Sequence, residues 1–416
     1  MRIAFIDLMF HWPASGGSWI DLYEIMTRLQ TRGYEVEIFC PQFQWGIVPR
    51  GSINHPLPFR VSRISFSKSS LNFYTAPRRF REEVKRFDPD VIFVGDAYTL
   101  KPYMGLIFPD YPVIQRFYGH ELICPNYIGL LKDGKICDIH YLKTPLYCTQ
   151  CAARQMIHEY RKNGVDEFIH EFVTGLGFLP TYLHTVKKAL RTAVSIVVSN
   201  QWTKQVFSPF NSNIVVIPGG VDTQMFYPMV SSNIKPDSQR KKVIFMPGRV
   251  YDSRKGLEIL KRAILQLSHE RDDFRVLITD NQKYTNGTIE STGWLNREQL
   301  AEVYRQSDIC VAPVIWHEPF GLVAIEAMAC GIPVIATEIG GLKDTIQNGV
   351  TGFHFPLGDS HALAQKIEYL LDNPEQRKIM GNAGRKLVEE KFSWDKIVDT
   401  YYMPMLDTIR NRKIKS

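Results

Sequence analysis

No stretch of this chain is apolar for long enough to cross a bilayer, which takes about 20 consecutive residues. A spanning helix is therefore not expected. Cysteine is scarce: seven in 416 residues, an odd number. That speaks against a disulfide framework and for reduced thiols in a cytoplasmic protein. Neither sign of charge dominates, with 50 Lys and Arg against 43 Asp and Glu. The net +7 is too slight to argue for a nucleic-acid partner. There is no low-complexity tract and no short-period repeat. The first ten residues place Arg2 before apolar residues, as a signal peptide would. Asp7 interrupts them and no small-residue cleavage pattern follows, so a first strand is the better reading.

What is present is ordinary globular composition, 44% hydrophobic and 22% charged. The length exceeds what one core can serve and predicts two or three domains. Buried strands alternate with amphipathic helices from the start, an α/β pattern. The first strand leads to a loop with Gly16 and Gly17 and then a helix, but without G-x-G-x-x-G. The polar stretch 229–240 reads as a linker. It divides a first domain, 1–228, from a second, 241–395, with a terminal helix over 396–416.

Several residues stand out chemically. In Trp316 to Gly341, Glu318 and Pro319 sit in a loop, Pro319 suits the first turn of a helix, and Gly321 lets backbone approach a ligand. A nearly all-apolar helix follows, so its first amides, near Leu322, form an anion site. Glu326 lies inside that helix in apolar company, and a carboxylate there needs a partner. It is either a structural acid or a contact to ligand hydroxyls. Gly248-Arg249 follows a strand and Lys255-Gly256 heads a helix; an Arg can fork onto phosphate oxygens and a Lys adds a point charge, while either one alone reads as a surface charge. Trp294 and Leu295 border a loop before another helix, Trp294 being either core or a cover for a flat ligand. His120 ends a strand, where open α/β sheets bind ligands. Cys124, Cys137, Cys148 and Cys151 fall within 28 residues, the last two with metal-knuckle spacing. Structural zinc and free thiols both remain open, and nothing suggests a catalytic metal. Arg60 to Arg86 is rich in basic residues, either a solvated helix face or a docking surface for anionic lipid or a phosphorylated acceptor.

Glu318 and Glu326, seven residues apart, with Glu-Pro-Phe-Gly-Leu before and Ala-Cys-Gly-Ile-Pro-Val-Ile-Ala-Thr after, resemble the E-x7-E region of retaining glycosyltransferases of family 4. The resemblance covers the second half well, from about 242 to 393, and the first half loosely. It implies the GT-B fold: two Rossmann-like domains facing a cleft, with the terminal helix crossing back to the first. It implies transfer of a sugar, with retention, from a nucleoside-diphosphate sugar (UDP- or GDP-type) to a hydroxyl of a glycan, lipid-linked or small-molecule acceptor. The setting would be glycan or surface polysaccharide synthesis, in the cytoplasm or at the inner face of the membrane, with no catalytic metal. Arg249 and Lys255 would hold the diphosphate together with Gly248, Gly321 and Leu322. Glu318, with Pro319 and Phe320, would face the sugar, and Glu326 would bind the ribose hydroxyls. Trp294 and Leu295 would border the base, Gly16 and Gly17 would lie near the sugar and phosphates, and His120 would touch sugar or acceptor. A nucleotide-sugar epimerase of the same fold and a non-catalytic nucleotide- or carbohydrate-binding module are the alternatives.

Overall fold

The computed structural model describes residues 1–14, 16–43, 50–126, 130–132, 135–229, 240–281 and 287–415. The chain forms two compact units. One takes 1–132, 137–218 and 398–416, and the other takes 219–397 together with 135–136.

The first unit is built on seven parallel strands: β1 Arg2–Ile6, β2 Glu35–Gln42, β3 Arg60–Ser65, β4 Val91–Val94, β5 Val113–Arg116, β6 Ser195–Val198 and β7 Ile214–Val216. Their order is β3-β2-β1-β4-β5-β6-β7. The central strands are short apolar runs such as Val-Ile-Phe-Val, buried throughout. Helices cover both faces of such a sheet, so both side-chain sets must be apolar. β3 lies at the edge, reads Arg-Val-Ser-Arg-Ile-Ser and buries only Ile64. Charges on an edge strand discourage pairing with another chain.

The second unit repeats the plan with six parallel strands: β8 Lys242–Met246, β9 Phe274–Ile278, β10 Ile289–Ser291, β11 Ile309–Ala312, β12 Val334–Thr337 and β13 Gly352–Phe355. Their order is β10-β9-β8-β11-β12-β13. Two apolar clusters pack this unit. One gathers Phe245, Tyr304, Ile325 and Met328, the other Ile244, Leu260, Ile335 and Leu363. In each sheet the chain grows outward from its first strand and then restarts on that strand's other side. The reversal opens a crevice at the carboxyl ends of β1 and β4, and another at those of β8 and β11.

Residues 219–229 group with the second unit, ahead of the expected linker. The Val221 amide donates to Phe392 O at 2.8 Å, and Arg385 Nη1 donates to Phe226 O at 2.8 Å. Most of the polar linker, 230–239, lies outside the described residues. The terminal segment is less uniform than a single helix. Trp394–Ile397 is followed by a π turn, Val398–Tyr402, and then by the helix Met403–Lys415. The turn buries Tyr402 against Phe93, ring centroids 6.1 Å apart, and lets Asp399 meet Arg32 at 2.7 Å.

Candidate active site

The second unit's crevice collects the expected residues at the ends of its strands. After β8 the chain turns at Gly248, whose φ of 101° suits glycine. Thr279, just past β9, donates its hydroxyl to Gly248 O and fixes the turn. Arg249 follows, exposed and in no ion pair among the described residues. A short 3₁₀ turn, Ser253–Lys255, is capped by Asp252, which also takes the Arg254 guanidinium in a fork at 2.6–3.0 Å. Gly256 then permits a backbone crossing: a Cβ there would stand 1.8 Å from Pro313 O. Ile315 N donates to Arg254 O at 2.9 Å. That contact brings the Lys255 loop against the loop after β11, and Lys255 Nζ reaches Glu318 Oε2 at 2.8 Å.

Trp316 Nε1 donates to the same oxygen at 3.0 Å. The indole also lies under Arg254, 5.0 Å from guanidinium carbon to ring centroid. Glu318 is therefore held by two donors through one oxygen. Its Oε1 accepts no hydrogen bond among the described residues. Trp316 stands two residues before Glu318, but nothing in the spacing revealed its indole N–H as a partner.

The Glu318 loop rests on Gly340 and Gly341. Gly341 N donates to Glu318 O at 2.7 Å, and Thr345 Oγ1 donates to Phe320 O at 3.2 Å. A Cβ on Gly341 would lie 2.5 Å from Phe320 Cα and Pro319 O, and one on Gly340 would lie 2.4 Å from Glu318 O. We expect Gly341→Ala to fold but to push the Glu318 loop aside and lower kcat by about 100-fold, the scale of a 1 Å misplacement. Steady-state kinetics on the folded variant check this, and wild-type kcat would contradict it.

The loop ends at Gly321, left-handed at φ 93°, which opens the helix Leu322–Ala329. No side chain caps this helix, so its first amides remain available to an anion. Pro319 is half-buried in the loop. The Phe320 ring turns the other way, buried and edge-on to Phe392 at 5.9 Å. Its side chain packs in the core, and its backbone belongs to the Glu318 loop. Leu322 is half-buried and packs on the same core.

Glu326, one turn further, is buried and accepts from the Tyr304 hydroxyl at 3.2 Å. Tyr304 comes from the helix Arg297–Arg305, and its OH also lies 3.2 Å from Val323 O. Burial pushes the Glu326 carboxyl above its ordinary range, and Arg297's charge and the Tyr304 hydroxyl pull it back only in part. A group whose folded pKa is raised stabilises the fold below its unfolded pKa, and that contribution is lost as pH rises through the folded value. Glu326→Gln should therefore melt higher than the parent at pH 8 and alike at pH 4. Thermal melts at the two pH values decide it, and an equal or lower Tm for the variant at pH 8 would contradict it.

Trp294 follows Gly293, at φ 71°, and its amide donates to Asn281 Oδ1 at 3.2 Å. The residue is 56% exposed, so it is not core. Leu295 beside it is half-buried.

In the first unit, Gly16 caps the helix Gly17–Thr31 with extended backbone and no side-chain cap, placing free amides beyond β1. His120 lies past the end of β5, buried, its ring edge-on to Trp202 at 5.6 Å. A buried polar network missed by sequence reasoning fixes this neighbourhood. Lys101 Nζ, fully buried, donates to Gly95 O at 2.9 Å and Arg116 O at 2.5 Å, and lies 3.5 Å from Glu121 Oε1. Glu121 Oε2 accepts from Gly119 N at 3.0 Å. Burial would raise Glu121, but Lys101 and Asp96 outweigh it and bring the carboxyl down to about 2. Asp96 is pushed up by burial and by Glu121. Asp7 receives the amides of Met9 and Asp96 at 2.9 and 2.8 Å, and burial lifts it to about 7.

The basic segment is largely engaged on its own unit. Arg60 meets Glu35, Arg81 meets Asp110, Arg86 meets Glu83, and Arg79 donates to Ser65 O. No helix among the described residues is long and apolar enough to cross a membrane.

Two family models match the chain: one described as Glycosyltransferase Family 4 over residues 15–225, and one described as Glycosyl transferases group 1 over residues 231–387. The chain is 24% identical over 424 residues to the N-acetyl-alpha-D-glucosaminyl L-malate synthase of Bacillus anthracis, covering 97% of each protein. Among solved structures it resembles a sucrose-phosphate synthase from Thermosynechococcus elongatus (TM-score 0.67, 23% identity, all of both chains). It also resembles Anabaena HepE in complex with UDP (TM-score 0.67, 16% identity, 98% of this chain and all of the other). These likenesses show a common GT-B fold.

Proposed function

Because the chain belongs to glycosyltransferase family 4, and is thus a glycosyltransferase, we propose that it moves a sugar from a UDP- or GDP-sugar to an acceptor hydroxyl with retention at the anomeric carbon. The observation that carries the reading is the Lys255–Glu318 pair at 2.8 Å, set before an uncapped helix start. It puts a cation, a carboxylate and free amides side by side, as a diphosphate joined to a sugar requires.

In the proposed step the bond from the anomeric carbon to the diphosphate oxygen breaks as negative charge gathers on the leaving group. Lys255, Arg249 and the amides following Gly321 stabilise that charge without a divalent ion. The acceptor oxygen bonds to the anomeric carbon on the face just vacated, and its proton passes to the departing phosphate oxygen. Glu318 accepts from sugar hydroxyls and its charge favours the cationic ring. Glu326 accepts from the ribose, and exposed Trp294 offers a face for the base. His120 is assigned a sugar or acceptor contact from its place at the end of its own sheet. A UDP complex of HepE supports a uridine donor, and the name of the Bacillus anthracis relative supports a hydroxyl acceptor of small size. Glycan or surface polysaccharide synthesis is the setting we infer.

The test is turnover of a panel of UDP- and GDP-sugars in EDTA, with product configuration read by NMR. Release of nucleoside diphosphate with a retained anomer supports the proposal. Binding without release, or inversion, overturns it.

A further inference from the structure

The loop after β11 carries an aromatic side chain for which the proposed chemistry has given no role. Trp316 is half-buried and packs against the apolar cluster that holds Phe245 and Met328. Its Nε1 donates to Glu318 Oε2 at 3.0 Å, beside the Lys255 ammonium at 2.8 Å from the same oxygen. Its ring also carries two cations, with the Arg254 guanidinium carbon 5.0 Å from the ring centroid and Lys255 Nζ 5.4 Å from it. Arg254 is itself fixed, held by the Asp252 fork at 2.6–3.0 Å and accepting the Ile315 amide on its carbonyl at 2.9 Å. The indole is thus held against the core and under a clamped guanidinium while its N–H reaches the carboxylate.

We propose that Trp316 is a positioning residue for sugar transfer, whose indole N–H anchors the Glu318 carboxylate when Lys255 turns its ammonium to the departing diphosphate. The proposal rests on the sugar-transfer reading of this site. That reading asks Lys255 to serve two anions, and in the structure it is closed on Glu318. An ammonium on a flexible stem changes partners readily. An indole N–H is a donor only, fixed in direction by a rigid ring. Among the described residues these two groups are the donors on Glu318 Oε2. Once the ammonium moves, the indole keeps the carboxylate from turning about its Cγ–Cδ bond, so its orientation toward the sugar is set before the reaction begins. If the ring served packing alone, its loss would cost the same whatever stood at position 318. A positioning residue matters only while there is a carboxylate to position.

The test is the kinetics of Trp316→Phe, which keeps an aromatic face and removes the N–H, made in the parent and in Glu318→Ala, with the donor sugar that the parent turns over. We expect kcat in the parent background to fall about 10- to 100-fold, the scale of losing a hydrogen bond to a charged group. The Kd of UDP or GDP, whichever the parent releases, should stay within about twofold by calorimetry, because Arg249 and the amides after Gly321 still meet the diphosphate. In the Glu318→Ala background the same change should cost less than about twofold. A kcat within about twofold of the parent, while Glu318→Ala is impaired, overturns the role of Trp316 alone, and so does an equal further loss in both backgrounds. Parental turnover in Glu318→Ala overturns the site reading itself. Indole N–H NMR gives a readout free of turnover. The resonance missing in Trp316→Phe should move upfield in Glu318→Ala, and an unmoved resonance overturns the proposal.

Discussion

Replacing Lys255 with alanine is expected to lower kcat by roughly 100- to 1,000-fold, the usual cost of removing one preorganised donor from a site where charge develops. The donor's KM should change far less, because Arg249 and the amides after Gly321 still meet the diphosphate in the ground state. The Lys255 side chain is only 20% exposed and Glu318's only 14%, so solvent cannot readily replace the missing ammonium. Deleting it also leaves the Glu318 carboxylate without its counter-charge, held by the Trp316 indole alone, beside a leaving group of the same sign. The two residues must then act as a unit. Glu318→Gln in the Lys255→Ala background should cost less than it does alone, because it removes a repulsion along with a ligand contact. Kinetics of the two single variants and the double variant measure this. Multiplicative losses would show that the pair does not act together, and an unchanged kcat in Lys255→Ala would remove it from the mechanism.

The second large effect is on stability. Lys101→Met should destabilise the first unit by about 3–5 kcal/mol, the cost of breaking a buried charge pair by deleting one partner. Lys101 is fully buried, and its Nζ serves two carbonyls as well as Glu121. Methionine fills similar volume and leaves all three without their donor. The pH dependence separates charge from packing. Glu121 titrates near 2 in the fold, below its usual 4.5, so its contribution is present above the unfolded value and is lost as pH falls through the folded one. The difference between variant and parent should be widest above pH 5 and shrink toward pH 2. Denaturant melts across that range check it. A constant deficit would mean that only packing was lost, and a loss below about 1 kcal/mol would mean that the network is not what holds the His120 neighbourhood.

These two sites differ in how far the sequence disclosed them. The strands were legible because parallel sheets buried on both faces demand unbroken apolar runs, and Val91–Val94 or Val334–Thr337 can hardly be anything else. Lys255, Glu318 and Glu326 stood out as charges beside glycines or within apolar helices. Their partners did not. Tyr304 reads as an ordinary core residue until the fold sets its hydroxyl 3.2 Å from Glu326. Gly340 and Gly341 look like a plain turn, yet a Cβ on either would collide with the backbone of the Glu318 loop. Lys101 reads as a surface charge at a helix start, because its acceptors lie six, fifteen and twenty residues away. Periodicity reports which face is buried. It does not report which distant polar groups meet there. Phe320, two residues after Glu318, packs its ring edge-on to Phe392, a contact that its place in the motif did not disclose.

A crystal structure with an intact donor sugar bound tests the central claim most directly. The diphosphate should lie within hydrogen-bond reach of Lys255, Arg249 and the amides after Gly321, with the ribose hydroxyls on Glu326. A nucleotide seated elsewhere, with Lys255 still closed on Glu318, would contradict it.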